Sequence, residues 1–101
     1  MIECVVDTGF DGALMLPRVF VPKIQIAIIG ELTLEMVGGA RMSADVGLTD
    51  ISWLGRWRQI EVIVSEGEDA LIGTELLIAT TLTIDYQSSS LAISTRENIS
   101  T

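Results

Sequence analysis

The sequence predicts an all-β fold with one or two short helices, on three observations. Apolar and polar residues alternate with a period of two in several stretches, glycine-containing or polar turns separate these stretches, and helical periodicity is sparse. A period of two places the apolar side chains on one face of a strand. The length of 101 residues fits one domain, which we expect to span residues 1–101.

Three β-hairpins are expected, each made of two alternating segments joined by a short turn. The first has the longest alternating segments. They flank a Gly-Gly pair that favours a tight reversal. The expected hairpins, with their turns in parentheses, are 32–36 with 42–48 (Gly38-Gly39), the strand before 54 with 60–65 (54–56), and 82–86 with 91–95 (87–90).

Two segments have a helical tendency. A short helix is expected after Pro17, and Pro22 should truncate or kink it because proline cannot donate a backbone hydrogen bond. Residues 74–79 suit one or two helical turns, with Thr74 near the N-terminal cap.

Composition excludes several classes of partner. Six basic residues against fourteen acidic residues give a net charge of -8, which disfavours nucleic acid and anionic membrane surfaces. The longest apolar run, 24–30, is too short to span a bilayer. Cys4 is the single cysteine, and the N-terminal residues lack a basic-then-apolar signal, so the expected compartment is the reducing cytoplasm.

The absence of histidine restricts the chemistry further. Ser-His-Asp and Cys-His catalysis and ordinary zinc sites are excluded in their usual forms. Cys4 lies in an apolar run with no histidine to activate it, and we interpret it as a buried small hydrophobe. The acidic loop 66–69 does not have the spacing of an EF-hand calcium loop, so no metal or cofactor is expected.

One segment carries candidate chemistry, since the apolar strand that ends at Val6 is followed directly by Asp-Thr-Gly at 7–9. This arrangement places a carboxylate on a tight turn at the end of a strand. Two other interpretations of the tripeptide stay open: an Asx-type turn that only closes the strand, and the phosphate-binding Asp-x-Gly turn of actin-like and sugar kinases. The kinase fold needs two large lobes, which 101 residues cannot build.

The wider pattern resembles the retropepsin-like aspartic proteases, the family of the retroviral proteases and their bacterial relatives. The order of features matches: an apolar strand, Asp-Thr-Gly at 7–9, a glycine-tipped hairpin, and Leu-Ile-Gly at 71–73 before a short helix. The spacing from Asp7 to Gly73 is close to that usual in the family. Bacterial members often continue the motif as Phe-x-Gly and then Leu-Pro, as 10–12 and 16–17 do here.

The resemblance implies a fold and a role for each matched residue. The fold would be a retropepsin-like subunit, a closed or curved β-sheet whose hairpin tip, 37–41, is a flap over bound peptide. Asp7 would be the catalytic carboxylate, Thr8 would bond to the loop of an opposite subunit, and Gly9 would lie against the substrate backbone. The implied substrate-binding residues are Phe10, Asp11, Val37, Gly38, Gly39, Ala40, Ile72 and Gly73.

A single Asp-Thr-Gly motif implies a homodimer that hydrolyses peptides or proteins. Hydrolysis by this route needs one carboxylate to take a proton from water and another to donate one to the carbonyl oxygen. Two carboxyls about 3 Å apart cannot both ionise cheaply, so they share a proton. A chain with one motif can form such a pair only across a twofold axis, where each surface meets its own copy.

Two departures from the family leave a second interpretation open. Only six residues precede Asp7, where the family usually has a strand or more, and Thr74 occupies the position at which retroviral members have an arginine that pairs with an aspartate corresponding to Asp11. Both departures favour a retropepsin-like module that dimerises or binds peptides without cleaving them.

Overall fold

The computed structural model describes residues 2–35 and 38–95, and most of these residues lie in β-strands. The strands are β1 (Cys4–Val6), β2 (Leu14–Pro17), β3 (Ala27–Glu35), β4 (Arg41–Trp53), β5 (Arg56–Ser65), β6 (Ala70–Ile72), β7 (Thr80–Asp85) and β8 (Ser90–Thr95). The helices are a 3₁₀ helix (Arg18–Lys23) and α1 (Thr74–Leu77). The predicted all-β class with short helices is confirmed.

All three expected hairpins form. Strand β4 pairs antiparallel with β3 on one side and with β5 on the other, and β7 pairs antiparallel with β8. The first hairpin is longer than its alternating segments, since it begins at Ala27, and Tyr86 lies in the third turn rather than in its strand. Gly38 and Gly39 have φ angles of 94° and 87°, a conformation that a side chain would oppose.

Both helices are short for identifiable reasons. The 3₁₀ helix contains Pro22, and Ile24 N donates to Phe20 O over 3.1 Å as the helix ends. Helix α1 is one turn long and stops where Ile78 becomes extended. Gly73 occupies its N-terminal cap position and Thr74 is the first helical residue, so Thr74 lies next to the cap as expected.

Six strands form one mixed sheet in the order β1-β6-β2-β5-β4-β3, and β7 and β8 form a separate ribbon. Strand β6 runs parallel to β1 and antiparallel to β2, so it lies between two strands that are neighbours in sequence. Strand β2 also runs parallel to β5. The sheet is curved and open, with β1 and β3 at its edges, so the closed form expected as one option is not present.

The core lies against one face of this sheet. Leu16 and Val62 are 1% and 0% exposed, and Leu76 from α1 packs into the same cluster. Strand β2 supplies Leu14 and Leu16 to the core while Met15 between them is only half-buried, as the alternation of side chains requires. Among the described residues, no helix has the length and apolar character needed to cross a bilayer.

Replacing Leu16 with alanine tests the position of this core. The substitution leaves a cavity under β2, and we expect the free energy of unfolding to fall by about 2–5 kcal/mol. The matched control is Val19→Ala, because that side chain is 61% exposed and its truncation should change stability by less than about 0.5 kcal/mol. Urea unfolding of both variants at one protein concentration measures the difference. Equal losses would contradict the assignment of Leu16 to the core.

Candidate active site

The carboxylate of Asp7 is positioned by hydrogen bonds at the end of β1. Asp7 N donates to Ile72 O over 2.9 Å, which extends the pairing of β1 with β6 by one residue. Its Oδ1 accepts a hydrogen bond from Gly9 N at 2.9 Å, and Phe10 N donates to Asp7 O over 3.1 Å. The residues after the strand therefore form a tight turn around a half-buried carboxylate, while Thr8 and Gly9 are exposed.

The turn is supported from beneath by the start of α1. Thr74 N donates to Phe10 O at 2.8 Å, and Gly73 N donates to Ala13 O at 3.0 Å. A Cβ on Gly73 would collide with the carbonyl oxygen of Gly12 and would lie 2.6 Å from that of Phe10. Only a residue without a side chain permits this approach, so Gly73 brings the two backbones into contact.

Thr74, which stands where retroviral members have an arginine, contacts the turn directly. The Thr74 hydroxyl donates to Phe10 O over 3.4 Å, so this side chain contacts the backbone of the turn and not a carboxylate. Asp11 is exposed, and its predicted contact with substrate stays a prediction. The ring of Phe10 folds over Gly12, where a Cβ would lie 2.6 Å from a ring carbon, so part of this side chain serves to pack the turn.

Two predicted substrate-binding residues hold structural positions. Ile72 packs beside the core cluster, and Gly73 is buried under the turn. The side chain of Ile72 points to the core face and Gly73 is covered by Phe10 and Gly12, and their predicted contact with substrate stays a prediction.

The remaining predicted residues lie at the tip of the first hairpin. Gly38, Gly39 and Ala40 are exposed there, as a flap would require, although their role as a flap stays a prediction. Val37 lies outside the described residues.

The two faces of the sheet near Asp7 have different surroundings. Cys4, Val6 and Ile72 line an apolar cavity on the core side. Leu71 is paired with both Val5 and Met15 and belongs to the opposite face. Val5, which is paired with Leu71, is therefore on this second face, and Asp7 follows two residues later, just past the end of β1.

The second face carries a groove of about 480 Å³, which we call the apolar groove. Its volume is within the range usual for ligand sites. We call two parts of its lining the floor and the wall. The wall is residues 65–69, and the floor is Met15, Leu34, Met42, Ser43, Ala44, Val64 and Leu71. Of the floor residues, only Leu71 belongs to a motif named from the sequence, the Leu-Ile-Gly at 71–73. Met15 stands between Leu14 and Leu16, so the alternation of side chains along a strand places it on the face opposite those two leucines.

Two findings concern the Cys4 thiol and the arrangement of possible metal ligands. Burial raises the pKa of the Cys4 thiol, so less thiolate is present at neutral pH than for a free cysteine. Within residues 2–35 and 38–95, no group of three or more acidic or cysteine side chains is arranged to hold a metal ion.

Comparisons with known proteins identify the fold. Two solved structures match over 76% of the chain: the simian foamy virus (mac) protease in solution, with 18% identity and a TM-score of 0.56, and a foamy viral protease-reverse transcriptase in complex with RNA/DNA hybrid, with 21% identity and a TM-score of 0.57. The match covers 80% of the first protein but only 10% of the second. No family sequence profile matches, and no curated protein matches significantly.

The chain therefore has the fold of a retroviral protease, and the predicted retropepsin-like architecture is confirmed. Both matched structures are of viral proteins, so the more specific resemblance to bacterial members gains no support from them. At 18–21% identity the match establishes the fold and leaves the activity of this chain to be proposed.

Substitution of Gly73 with alanine tests the close approach beneath the turn. The added methyl group has to displace backbone rather than a flexible side chain, so we expect a loss of about 3 kcal/mol of folding stability. Gly30→Ala is the matched control, because a Cβ at Gly30 meets no atom within 4 Å. Thermal or urea unfolding of the two variants measures the difference. A Gly73→Ala protein as stable as the Gly30→Ala protein would show that the backbones are not in contact.

Proposed function

We propose that this chain is one subunit of an aspartic endopeptidase in which Asp7 of two identical subunits activates a water molecule. The observation that carries the proposal is the position of Asp7. Its carboxylate lies at the end of β1 on a turn held by Gly9 N and by the backing of Gly73, beside β6, whose Leu71 lines the apolar groove. The retroviral-protease fold adds support, as does the single motif in the sequence.

The proposed reaction assigns a separate proton transfer to each carboxyl group. One carboxylate accepts a proton from water as the water oxygen bonds to the peptide carbonyl carbon, and the other carboxyl group donates its proton to the carbonyl oxygen. The tetrahedral intermediate then returns its hydroxyl proton, the amide nitrogen accepts a proton from the first carboxyl group, and the C–N bond breaks. The products are a carboxylic acid and an amine, and no metal or cofactor takes part.

The dimer is part of the same proposal. Thr8 and Gly9 are exposed in the subunit, as residues that meet a second copy or a substrate must be. Two copies of the turn facing each other across a twofold axis would bring the two aspartates together, and Thr8 would bond to the opposite turn. A peptide would lie as an extended strand in the apolar groove beneath the exposed hairpin tip. We propose the cytoplasm as the compartment, since a single cysteine suits a reducing environment.

A second candidate is a module that binds peptides without cleaving them. The observation that favours it is Thr74, which contacts the turn backbone where the family has an arginine. Peptide binding to the native chain with no hydrolysis at any pH from about 3 to 7 would support this candidate over the protease.

Asp7→Asn tests the catalytic role directly. An amide cannot accept the proton from water, so we expect hydrolysis of a fluorogenic peptide library to fall at least about a hundredfold. The variant should keep the dimeric mass in sedimentation, because asparagine has nearly the same shape. Asp50→Asn is the control, since Asp50 is exposed on β4 and is not among the residues lining the apolar groove. Undiminished hydrolysis by Asp7→Asn would refute the assignment.

Mixed dimers test whether both copies of Asp7 are needed. When the native chain and Asp7→Asn are refolded together in equal amounts, random pairing leaves about one quarter of the dimers with two aspartates. We therefore expect about one quarter of the activity of a fully native sample at the same total concentration. Half of the activity would mean that each subunit works alone, and the shared pair of carboxylates would be wrong.

A further inference from the structure

The wall of the apolar groove is acidic, in contrast to its floor. Glu66, Glu68 and Asp69 lie in the short segment between β5 and β6, and all three are exposed. The floor beneath them is lined by methionine, leucine, alanine and valine side chains and by one serine. A ligand that fills this groove therefore meets apolar surface on one side and carboxylates on the other.

One cation compensates part of this charge. Arg18 Nε donates to Glu66 Oε1 over 2.8 Å, and its Nη1 donates to Asp45 Oδ2 over 3.1 Å. These bonds raise the pKa of Arg18 and connect the wall to the 3₁₀ helix and to β4. In the described part of the chain, Glu68 and Asp69 have no basic group within 4 Å. Their two charges therefore line the groove without a basic partner among the described residues.

The spacing of side chains along an extended peptide lets one peptide contact both the floor and the wall of the groove. Alternate side chains of an extended peptide point to the same side and lie about 7 Å apart. For a strand that runs from the floor toward residues 65–69, the side chain two positions beyond a large apolar one would lie near the wall. Lysine and arginine suit that place, because their alkyl stems pack along apolar surface while the charged head reaches the carboxylates.

We propose that the apolar groove selects peptides that carry a large aliphatic or aromatic side chain and, two positions away, a lysine or an arginine. Glu68 and Asp69 are the residues that determine the preference for the basic side chain. This inference rests on the proposed function, since it names the substrates that the endopeptidase would take. It can still be tested by binding alone.

Three fluorescein-labelled decapeptides provide the test. They share a central Leu-Phe pair and differ only two positions before the leucine and two positions after the phenylalanine, where they carry lysine, glutamine or glutamate. Fluorescence anisotropy measures binding to full-length Asp7→Asn protein, and hydrolysis of the same peptides by the native chain gives kcat/KM. We expect the lysine peptide to bind about 3- to 10-fold tighter than the glutamine peptide, the glutamate peptide to bind weakest, and the differences to shrink with added salt.

Removing the charges of Glu68 and Asp69 tests whether these two residues cause the preference for lysine. The double substitution Glu68→Gln/Asp69→Asn should abolish the preference for lysine and leave binding of the glutamine peptide unchanged. Glu31→Gln/Glu61→Gln is the matched control, because it removes two exposed carboxylates that do not line the groove. An equal loss of preference in both double variants would overturn the inference, since net charge alone would then explain the preference.

The remaining outcomes separate the inference from the proposed function. Hydrolysis of all three peptides at the same rate would overturn the inference while the protease assignment stands. Binding with the expected order but without hydrolysis by the native chain would refute the protease assignment and keep the inference for the groove. No measurable binding of any of the three peptides would overturn the inference.

Discussion

The insertion of β6 between β1 and β2 is the constraint on which the candidate site depends. The residues that connect β1 to β2 cannot form an ordinary hairpin, because a strand from distant sequence occupies the place between them. They must instead cross the end of β6, where Gly73 follows. The absence of a side chain at Gly73 lets the crossing segment approach closely enough for backbone hydrogen bonds to Phe10 and Ala13. Asp7 acquires its position from this crossing.

The alternation of side chains along each strand then gives the two faces of the sheet different roles. On one face, Leu14 and Leu16 pack with Val62 and hold the sheet to α1. On the other face, Met15 and Leu71 leave the floor of a groove open. The same short strands therefore supply both the stability of the subunit and the surface that a peptide would contact. Changes on the core face should act through folding, whereas changes on the groove face should act through binding.

The ion pairs of Arg18 position the acidic wall and contribute little to the stability of the fold. Both lie at the surface, where an ion pair contributes little to the free energy of folding. Their effect is to fix one end of the acidic wall to β4 and to the 3₁₀ helix. Since Arg18 compensates Glu66, it also decides which carboxylates of the wall remain for a ligand. A net charge of -8 makes such local compensation relevant to any charged partner.

The sequence by itself determined the hairpins, the short helices and the turn at Asp7, because these features depend on neighbouring residues. Signals of this local kind are the alternation around Gly38-Gly39, Pro17 directly before the 3₁₀ helix and Pro22 inside it. Only the tertiary structure decided that the sheet is open, that β6 lies between β1 and β2, and that Gly73 lies beneath the turn at Asp7. Parallel and distant strand pairs carry no turn signal in the sequence, so their register emerges only when the two faces of the sheet are packed.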